Sequence, residues 1–110
     1  MLKMIVTDLD GTLLNSCSRV DRPNINTLLN LGKMGIVRTI ATGRSPYSAS
    51  KVLPDDFPID YVIFSSGAGI IRWSDKQIVH SRLLEQREVQ AIVGNLIAHD
   101  VNFMVHDPIP

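Results

Sequence analysis

Residues 4–14 read Met-Ile-Val-Thr-Asp-Leu-Asp-Gly-Thr-Leu-Leu, an apolar run that passes directly into two aspartates and a glycine. The run over residues 2–7 is short and rich in strand-forming residues, and the Asp8-Leu9-Asp10-Gly11 stretch that follows has turn composition. This pattern is typical of a strand buried on both faces of a parallel sheet. Asp8 and Asp10 would then lie at the carboxyl end of that strand, where open α/β sheets bind their ligands.

The two aspartates of this turn favour a cation site. Carboxylates this close repel each other unless a cation lies between them or one of them holds a proton. Oxygen ligands suit a hard cation such as Mg²⁺, and Gly11 permits the sharp turn that follows. We therefore predict that Asp8 and Asp10 bind a metal ion. The alternative is a polar loop that only ends a strand.

Segments of helix and strand character alternate after this turn. A helix start at Asp21 and a helix end at Gly35 bracket apolar residues with helical spacing. Strands are expected over residues 36–40 and 61–64, with a helix that begins at Pro46 between them. The order strand–helix–strand–helix–strand predicts a parallel α/β sheet with right-handed crossovers.

The pattern changes after the third expected strand. Apolar runs over residues 69–73 and 77–80 flank Ser-Asp-Lys, which predicts a β-hairpin. A helix is expected over residues 85–98 and a further strand over residues 101–105. The change from parallel crossovers to hairpin, helix and strand indicates a second, incomplete module that begins near residue 83.

Composition and charge exclude several functional classes. The 110 residues include 11 basic and 11 acidic side chains, so a zero formal charge offers no electrostatic basis for binding nucleic acid or an anionic membrane. No apolar run approaches the length of a membrane span. Cys17 is the single cysteine, which excludes an intramolecular disulfide and favours a reducing compartment. We therefore expect a cytoplasmic protein.

Polar loops also follow the second and third expected strands. Thr42, Gly43 and Arg44 offer a hydroxyl, a backbone N–H and a cation, which together suit a phosphate group. The alternative is an ordinary turn with a solvated arginine. Residues 65–68 form a third polar loop at the same edge of the predicted sheet, and a plain turn explains that loop equally well.

Three segments together resemble the haloacid dehalogenase-like hydrolase superfamily, and within it the Cof-type phosphatases, which carry a large α/β cap. These segments are Asp8–Leu14, Ala41–Arg44 and Ser66–Ile70. The resemblance implies a Rossmann-like core over residues 1–82, followed by the beginning of a cap over residues 83–110. It also implies that the first strand is central in the complete sheet. We therefore expect an unpaired edge there, to which a second copy or a missing C-terminal segment would bind.

The resemblance further implies a Mg²⁺-dependent phosphohydrolase of small phosphorylated metabolites, with sugar phosphates as a reasonable class. Asp8 would be the nucleophile that forms an aspartyl-phosphate, and Asp10 would serve as general acid and base. Mg²⁺ would bind a carboxylate oxygen of Asp8 and the backbone carbonyl of Asp10. The Leu9 N–H, the Thr42 hydroxyl and the Gly43 N–H would hold phosphoryl oxygens.

Arg44 and Ser66 are candidates for substrate contact under the same resemblance. The family usually has Asn at the position of Ser66, so this chain departs from the pattern there. The family's phosphate-binding lysine and its later acidic metal loop follow the cap. We therefore expect an N-terminal fragment of a phosphatase. The alternative is a non-catalytic fragment that binds metal, phosphate or a partner chain.

Overall fold

A computed structural model describes residues 1–106, whose core is one five-stranded sheet. The strands are β1 (Met4–Asp8), β2 (Val37–Ala41), β3 (Tyr61–Phe64), β4 (Gly69–Arg72) and β5 (Ile78–Ser81). The helices are α1 (Arg22–Lys33), α2 (Pro46–Ser50) and α3 (Gln86–Ala98). The strands follow one another across the sheet in chain order; β1, β2 and β3 are parallel, and β4 and β5 are antiparallel to their neighbours. The predicted α/β fold with a terminal hairpin is confirmed.

One face of the sheet is covered by the crossover segments. Ile40 of β2 and Val62 of β3 are register partners and are fully buried on this face. Leu28 of α1 and Leu53, just after α2, belong to the same buried cluster. Crossovers between parallel strands are almost always right-handed, so two that advance in one direction place their helices on the same face. The shared buried cluster agrees with this, since it includes Leu28 of α1 and Ala49 of α2.

The opposite face is exposed along β1. Successive side chains of a strand point to opposite faces. Ile5 packs against the buried cluster, whereas its neighbours Met4 and Val6 remain 50% and 55% exposed. The expected burial of this strand on both faces is therefore wrong for the described residues, because only one face of β1 has elements packed on it.

β1 also lies at the edge of the described sheet, where its only partner is β2. The Val37 N–H donates to the Lys3 carbonyl at 2.9 Å, so the backbone groups of Lys3 and Ile5 point toward β2. The backbone groups of Met4 and Val6 consequently point away from the sheet. An unpaired edge of this kind is a template for another strand, and what occupies it stays a prediction.

The hairpin of β4 and β5 extends the same sheet rather than starting a new one. β4 pairs with β3 along its whole length, and Trp73 beyond it is buried. The Trp73 Nε1–H donates to the Pro54 carbonyl at 2.9 Å, and Lys76 lies 3.8 Å above the indole ring. Trp73 therefore anchors the hairpin to the segment after α2, which is a packing role.

One local prediction is wrong. Residues 101–105 form no strand in the described structure and are exposed, because no neighbouring strand is present there to complete a ladder. The predicted helix start at Asp21 is confirmed, since Asp21 directly precedes α1, but its carboxylate accepts from Asn15 Nδ2 at 2.9 Å and makes no capping bond. The expected beginning of a cap runs to residue 110, and residues 107–110 of it lie outside the described residues. No helix within residues 1–106 is long and apolar enough to span a bilayer.

Candidate functional site

The loops after β1, β2 and β3 meet at one edge of the sheet. Asp8 is the register partner of Ala41, and Ala41 is the register partner of Ile63. The residues that follow these positions are therefore neighbours in space, because parallel strands end at the same edge. The structure thus brings together the three polar loops that the sequence singled out.

The first loop is a tight turn that exposes its two aspartates. Asp8 ends β1, and its Oδ1 accepts from the Leu9 N–H at 2.8 Å. Gly11 has a φ of +72°, and the Leu14 N–H closes the turn by donating to the Leu9 carbonyl at 2.9 Å. The Leu9 side chain is fully buried and fixes the turn, while Asp8 and Asp10 remain exposed. The Leu9 N–H, predicted to hold phosphate, is already engaged by Asp8.

Arg44 binds the second aspartate through a two-pronged ion pair. Its Nε and Nη2 donate to the two carboxylate oxygens of Asp10, each at 2.8 Å. Its Nη1 donates to the carbonyl and the hydroxyl of Ser48, at 3.2 and 3.1 Å. Sequence reasoning missed Ser48, because nothing in its spacing from Arg44 signals a contact between their side chains. Arg44 thus links the first loop to α2.

This ion pair changes the acidity of both partners. Hydrogen bonding from Arg44 lowers the pKa of Asp10 below its ordinary value, and partial burial acts in the opposite direction. Hydrogen bonding to Asp10 raises the pKa of Arg44 in turn. Asp10 is therefore ionised at neutral pH in this arrangement, with both oxygens occupied.

Backbone hydrogen bonds tie the second loop to the third. The Ser66 N–H donates to the Thr42 carbonyl at 3.1 Å, and the Ser65 N–H donates to the Arg44 carbonyl at 2.9 Å. Thr42 Oγ1 accepts from the Arg44 N–H at 3.1 Å, so its hydroxyl hydrogen can point elsewhere. The Gly43 N–H makes no hydrogen bond within residues 1–106. The exposed Gly43 N–H is therefore available to an anion, and the hydroxyl of the buried Thr42 keeps an unassigned hydrogen beside it.

The oxygen donors of the first loop suit part of a magnesium site. The Asp10 carboxylate is taken by Arg44, which leaves the Asp8 oxygen that accepts from Leu9, through its second lone pair, and the Asp10 carbonyl. Mg²⁺ is commonly held by one or two carboxylates together with waters and substrate phosphate oxygens. Within residues 1–106, no cluster of three or more Asp, Glu, His or Cys residues exists. These two oxygens thus fit a magnesium ion that takes its remaining ligands from other sources.

A groove of about 1010 Å³ adjoins these loops. Ser45 and Ser65 line the groove next to the site, and α3 forms much of its far wall. Its apolar lining includes Tyr47, Phe64, Leu83, Val89, Val93 and Phe103. Sequence reasoning did not identify this groove, because its walls come from segments that are far apart in the chain.

Comparison with known proteins gives a consistent match. Residues 5–108 match the family described as haloacid dehalogenase-like hydrolase. The 5-amino-6-(5-phospho-D-ribitylamino)uracil phosphatase YwtE of Bacillus subtilis is 30% identical over 105 residues, which make up 96% of this chain and 36% of that protein. The chain therefore spans about a third of the length of this relative.

Solved structures agree with the observed fold. A haloacid dehalogenase-like hydrolase from B. subtilis superposes with a TM-score of 0.77 at 29% identity, over 90% of this chain and 34% of that one. The subclass IIB sugar phosphatase BT4131 superposes with a TM-score of 0.66 at 27% identity, over 88% of this chain and 38% of that one. Each similarity covers about nine tenths of this chain.

Proposed function

Because the chain belongs to the haloacid dehalogenase-like hydrolase family, we propose that it takes part in Mg²⁺-dependent hydrolysis of small phosphate esters. The observation that carries this proposal is the meeting of the three strand-end loops. They place the carboxylate of Asp8 at the same sheet edge as the exposed Gly43 N–H and the hydroxyl of the buried Thr42. A nucleophile and an anion cradle at one edge suit phosphoryl transfer, in which catalysis is mostly positioning and charge neutralisation.

Asp8 is the proposed nucleophile. The Leu9 N–H holds one of its oxygens, and the other attacks phosphorus while the bond from phosphorus to the ester oxygen breaks. The proton on the departing oxygen comes from Asp10, whose carboxylate must first leave Arg44 and take up a proton from water. Asp10 then takes a proton from the water that attacks the aspartyl-phosphate, which releases phosphate and restores the carboxylate of Asp8.

The remaining groups neutralise and orient the phosphoryl group. The Thr42 hydroxyl and the Gly43 N–H donate to two of its oxygens. Mg²⁺, when bound, withdraws charge from the phosphoryl oxygens and fixes their orientation. The ligands that this chain offers to the ion are a carboxylate oxygen of Asp8 and the carbonyl of Asp10.

The substrate class proposed is a small phosphorylated metabolite, with sugar phosphates to be tested first. Support comes from the structural similarity to a sugar phosphatase and from a curated relative named for a phosphoribityl substrate. We propose that the segment from residue 83 onward is the beginning of a cap beside the site. The groove between α3 and the strand-end loops supports this assignment.

The test is Mg²⁺-dependent release of phosphate from an aryl phosphate by the purified chain. We expect Asp8→Asn to abolish the release, because an amide oxygen is a far weaker nucleophile than a carboxylate. Asp75→Asn is the matched control, since Asp75 is an exposed aspartate of the hairpin paired with Arg72. Release that persists unchanged in Asp8→Asn would refute the assignment.

A second candidate function is binding without turnover. It is favoured by the engagement of both Asp10 oxygens by Arg44, and by the unpaired edge of β1, which offers backbone groups to a second copy or a C-terminal segment. A folded chain that binds phosphate but releases none from any ester would favour this candidate. Light scattering that shows a monomer, with the amides of Met4 and Val6 protected from exchange, would contradict the binding role of the edge.

A further inference from the structure

We infer that Arg44 exchanges partners: Asp10 holds it in the described structure, and a phosphate dianion takes it over on binding. This inference rests on the proposed function. It adds that Asp10 competes with phosphate for Arg44, and that Arg44 strengthens phosphate binding once the exchange has taken place. Sequence reasoning offered Arg44 only as a contact to substrate. The structure shows instead that the side chain already has protein partners, Asp10 and Ser48.

The guanidinium group of Arg44 has no unengaged nitrogen. Nε and Nη2 donate to Asp10, and Nη1 donates to both oxygens of Ser48. A phosphate bound at Thr42 and Gly43 therefore receives no bidentate pair of hydrogen bonds from Arg44 unless one of these partners is released. Asp10 is the partner that a dianion replaces most directly, because both present paired oxygens to the planar guanidinium.

The pair is placed where such an exchange is feasible. The side chains of Arg44 and Asp10 are 26% and 54% exposed, so water and a solute anion reach the contact. The Arg44 backbone is fixed at both its N–H and its carbonyl, by Thr42 and Ser65. The exchange therefore needs only side-chain rotation. It also releases the carboxylate of Asp10 beside the bound phosphate, where the proposed mechanism requires it.

An internal competitor lowers the apparent affinity for the ligand by the fraction of molecules in which the pair is open. An exposed forked pair is of modest strength, so removing Asp10 should tighten phosphate binding by roughly three- to tenfold. Removing Arg44 should weaken phosphate binding, since the fork is then lost from the bound state.

The experiment titrates inorganic phosphate, without Mg²⁺, into the ¹⁵N-labelled chain and follows the Arg44 Nε–H and Gly43 N–H resonances. Asp10→Ala, Arg44→Gln and the double variant complete a cycle with the unsubstituted chain. We expect Asp10→Ala to tighten binding in the presence of Arg44 and to have little effect in Arg44→Gln. Asp8→Asn is the charge control, because it removes a neighbouring negative charge without releasing Arg44.

Three outcomes separate the inference from the function beneath it. Phosphate that shifts Gly43 but leaves the Arg44 Nε–H unmoved would overturn the exchange and leave the phosphate site intact. If Asp10→Ala raises phosphate affinity equally with Arg44 present and in Arg44→Gln, the effect is charge repulsion and the exchange is overturned. The same holds if Asp8→Asn raises phosphate affinity as much as Asp10→Ala does. No phosphate-induced shift in any variant, Asp10→Ala included, either before or after Mg²⁺ is added to the same samples, would overturn the proposed function together with the inference.

Discussion

Two forked arginine–aspartate pairs lie near opposite ends of β2 and differ in their surroundings. At the start of the strand, Arg38 Nε and Nη2 donate to the two oxygens of Asp60, each at 3.1 Å. The Arg38 N–H donates to the same carboxylate at 2.8 Å, and Nη1 donates to the carbonyl of Leu28. Just beyond the end of the strand, Arg44 binds Asp10 with the same fork but without such backbone reinforcement of the carboxylate.

Exposure separates the two pairs further. The Arg38 and Asp60 side chains are 15% and 37% exposed, against 26% and 54% for Arg44 and Asp10. Breaking a sheltered pair leaves a charge without its partner away from water, whereas water replaces the partner in an open pair. The Arg38–Asp60 pair therefore stabilises the fold at one end of β2, whereas the Arg44–Asp10 pair at the other end can exchange partners.

The largest effect on stability is expected from Asp60→Asn, which removes the Arg38–Asp60 pair, called the brace below. We expect a decrease of about 2 kcal/mol in the free energy of unfolding, because the Arg38 guanidinium stays partly buried and loses its counter-charge. Urea denaturation measures the change. Asp75→Asn, which removes an exposed pair with Arg72, should leave the free energy of unfolding nearly unchanged. Equal losses in the two variants would remove the distinction between a brace and a surface pair.

The pH dependence of the brace has a definite sign. Hydrogen bonding from Arg38 lowers the pKa of Asp60 below 3.8, against an opposing effect of burial. The stability that Asp60 contributes is therefore fully present above its unfolded-state pKa and is lost as the pH falls through the folded-state pKa. The stability difference between the natural chain and Asp60→Asn should shrink below about pH 4. A difference that grows with acidity would contradict the assignment.

Gly32 of α1 lies against the Arg38 guanidinium and gives a second way to test the brace. A Cβ at Gly32 would overlap the Arg38 guanidinium, so Gly32→Ala should displace the brace and destabilise the chain by about 1 kcal/mol. Gly94 in α3 is the matched control, since a Cβ there meets nothing within 4 Å. Gly94→Ala should stabilise by up to about 1 kcal/mol through helix propensity. Thermal unfolding measures whether each variant raises or lowers the stability of the chain. If both variants raise it, the Arg38 side chain moves aside from the new Cβ at little cost.

The smallest effect on stability is expected at the exchangeable pair. Asp10→Asn should change the free energy of unfolding by no more than about 0.5 kcal/mol, because both partners gain water when the pair is lost. The same variant should nevertheless abolish hydrolysis, since an amide transfers no proton. Chemical denaturation and phosphate release, measured on one sample, check both parts. A loss of stability as large as that of Asp60→Asn would make the Arg44 pair a second brace.

Much of the fold follows from local pattern. The apolar run before Asp8, the proline near the start of α2 and the turn before β5 all predict elements that the structure contains. Residues 101–105 show where this reasoning ends. Their apolar character permits a strand, but a strand exists only when another backbone pairs with it, and local sequence does not specify that partner.

The sequence by itself determined which residue types stand at the ends of β1, β2 and β3, and parallel strand order then required them to share one sheet edge. Only the tertiary structure decided that Arg44 binds Asp10, which is 34 positions away in the chain, and that Ser48 holds the third guanidinium nitrogen. The physical reason is that strand position follows from hydrophobic pattern and turn chemistry, which are local. The partner of a long charged side chain depends on which acceptors folding brings within its reach, and that is a property of the packed molecule.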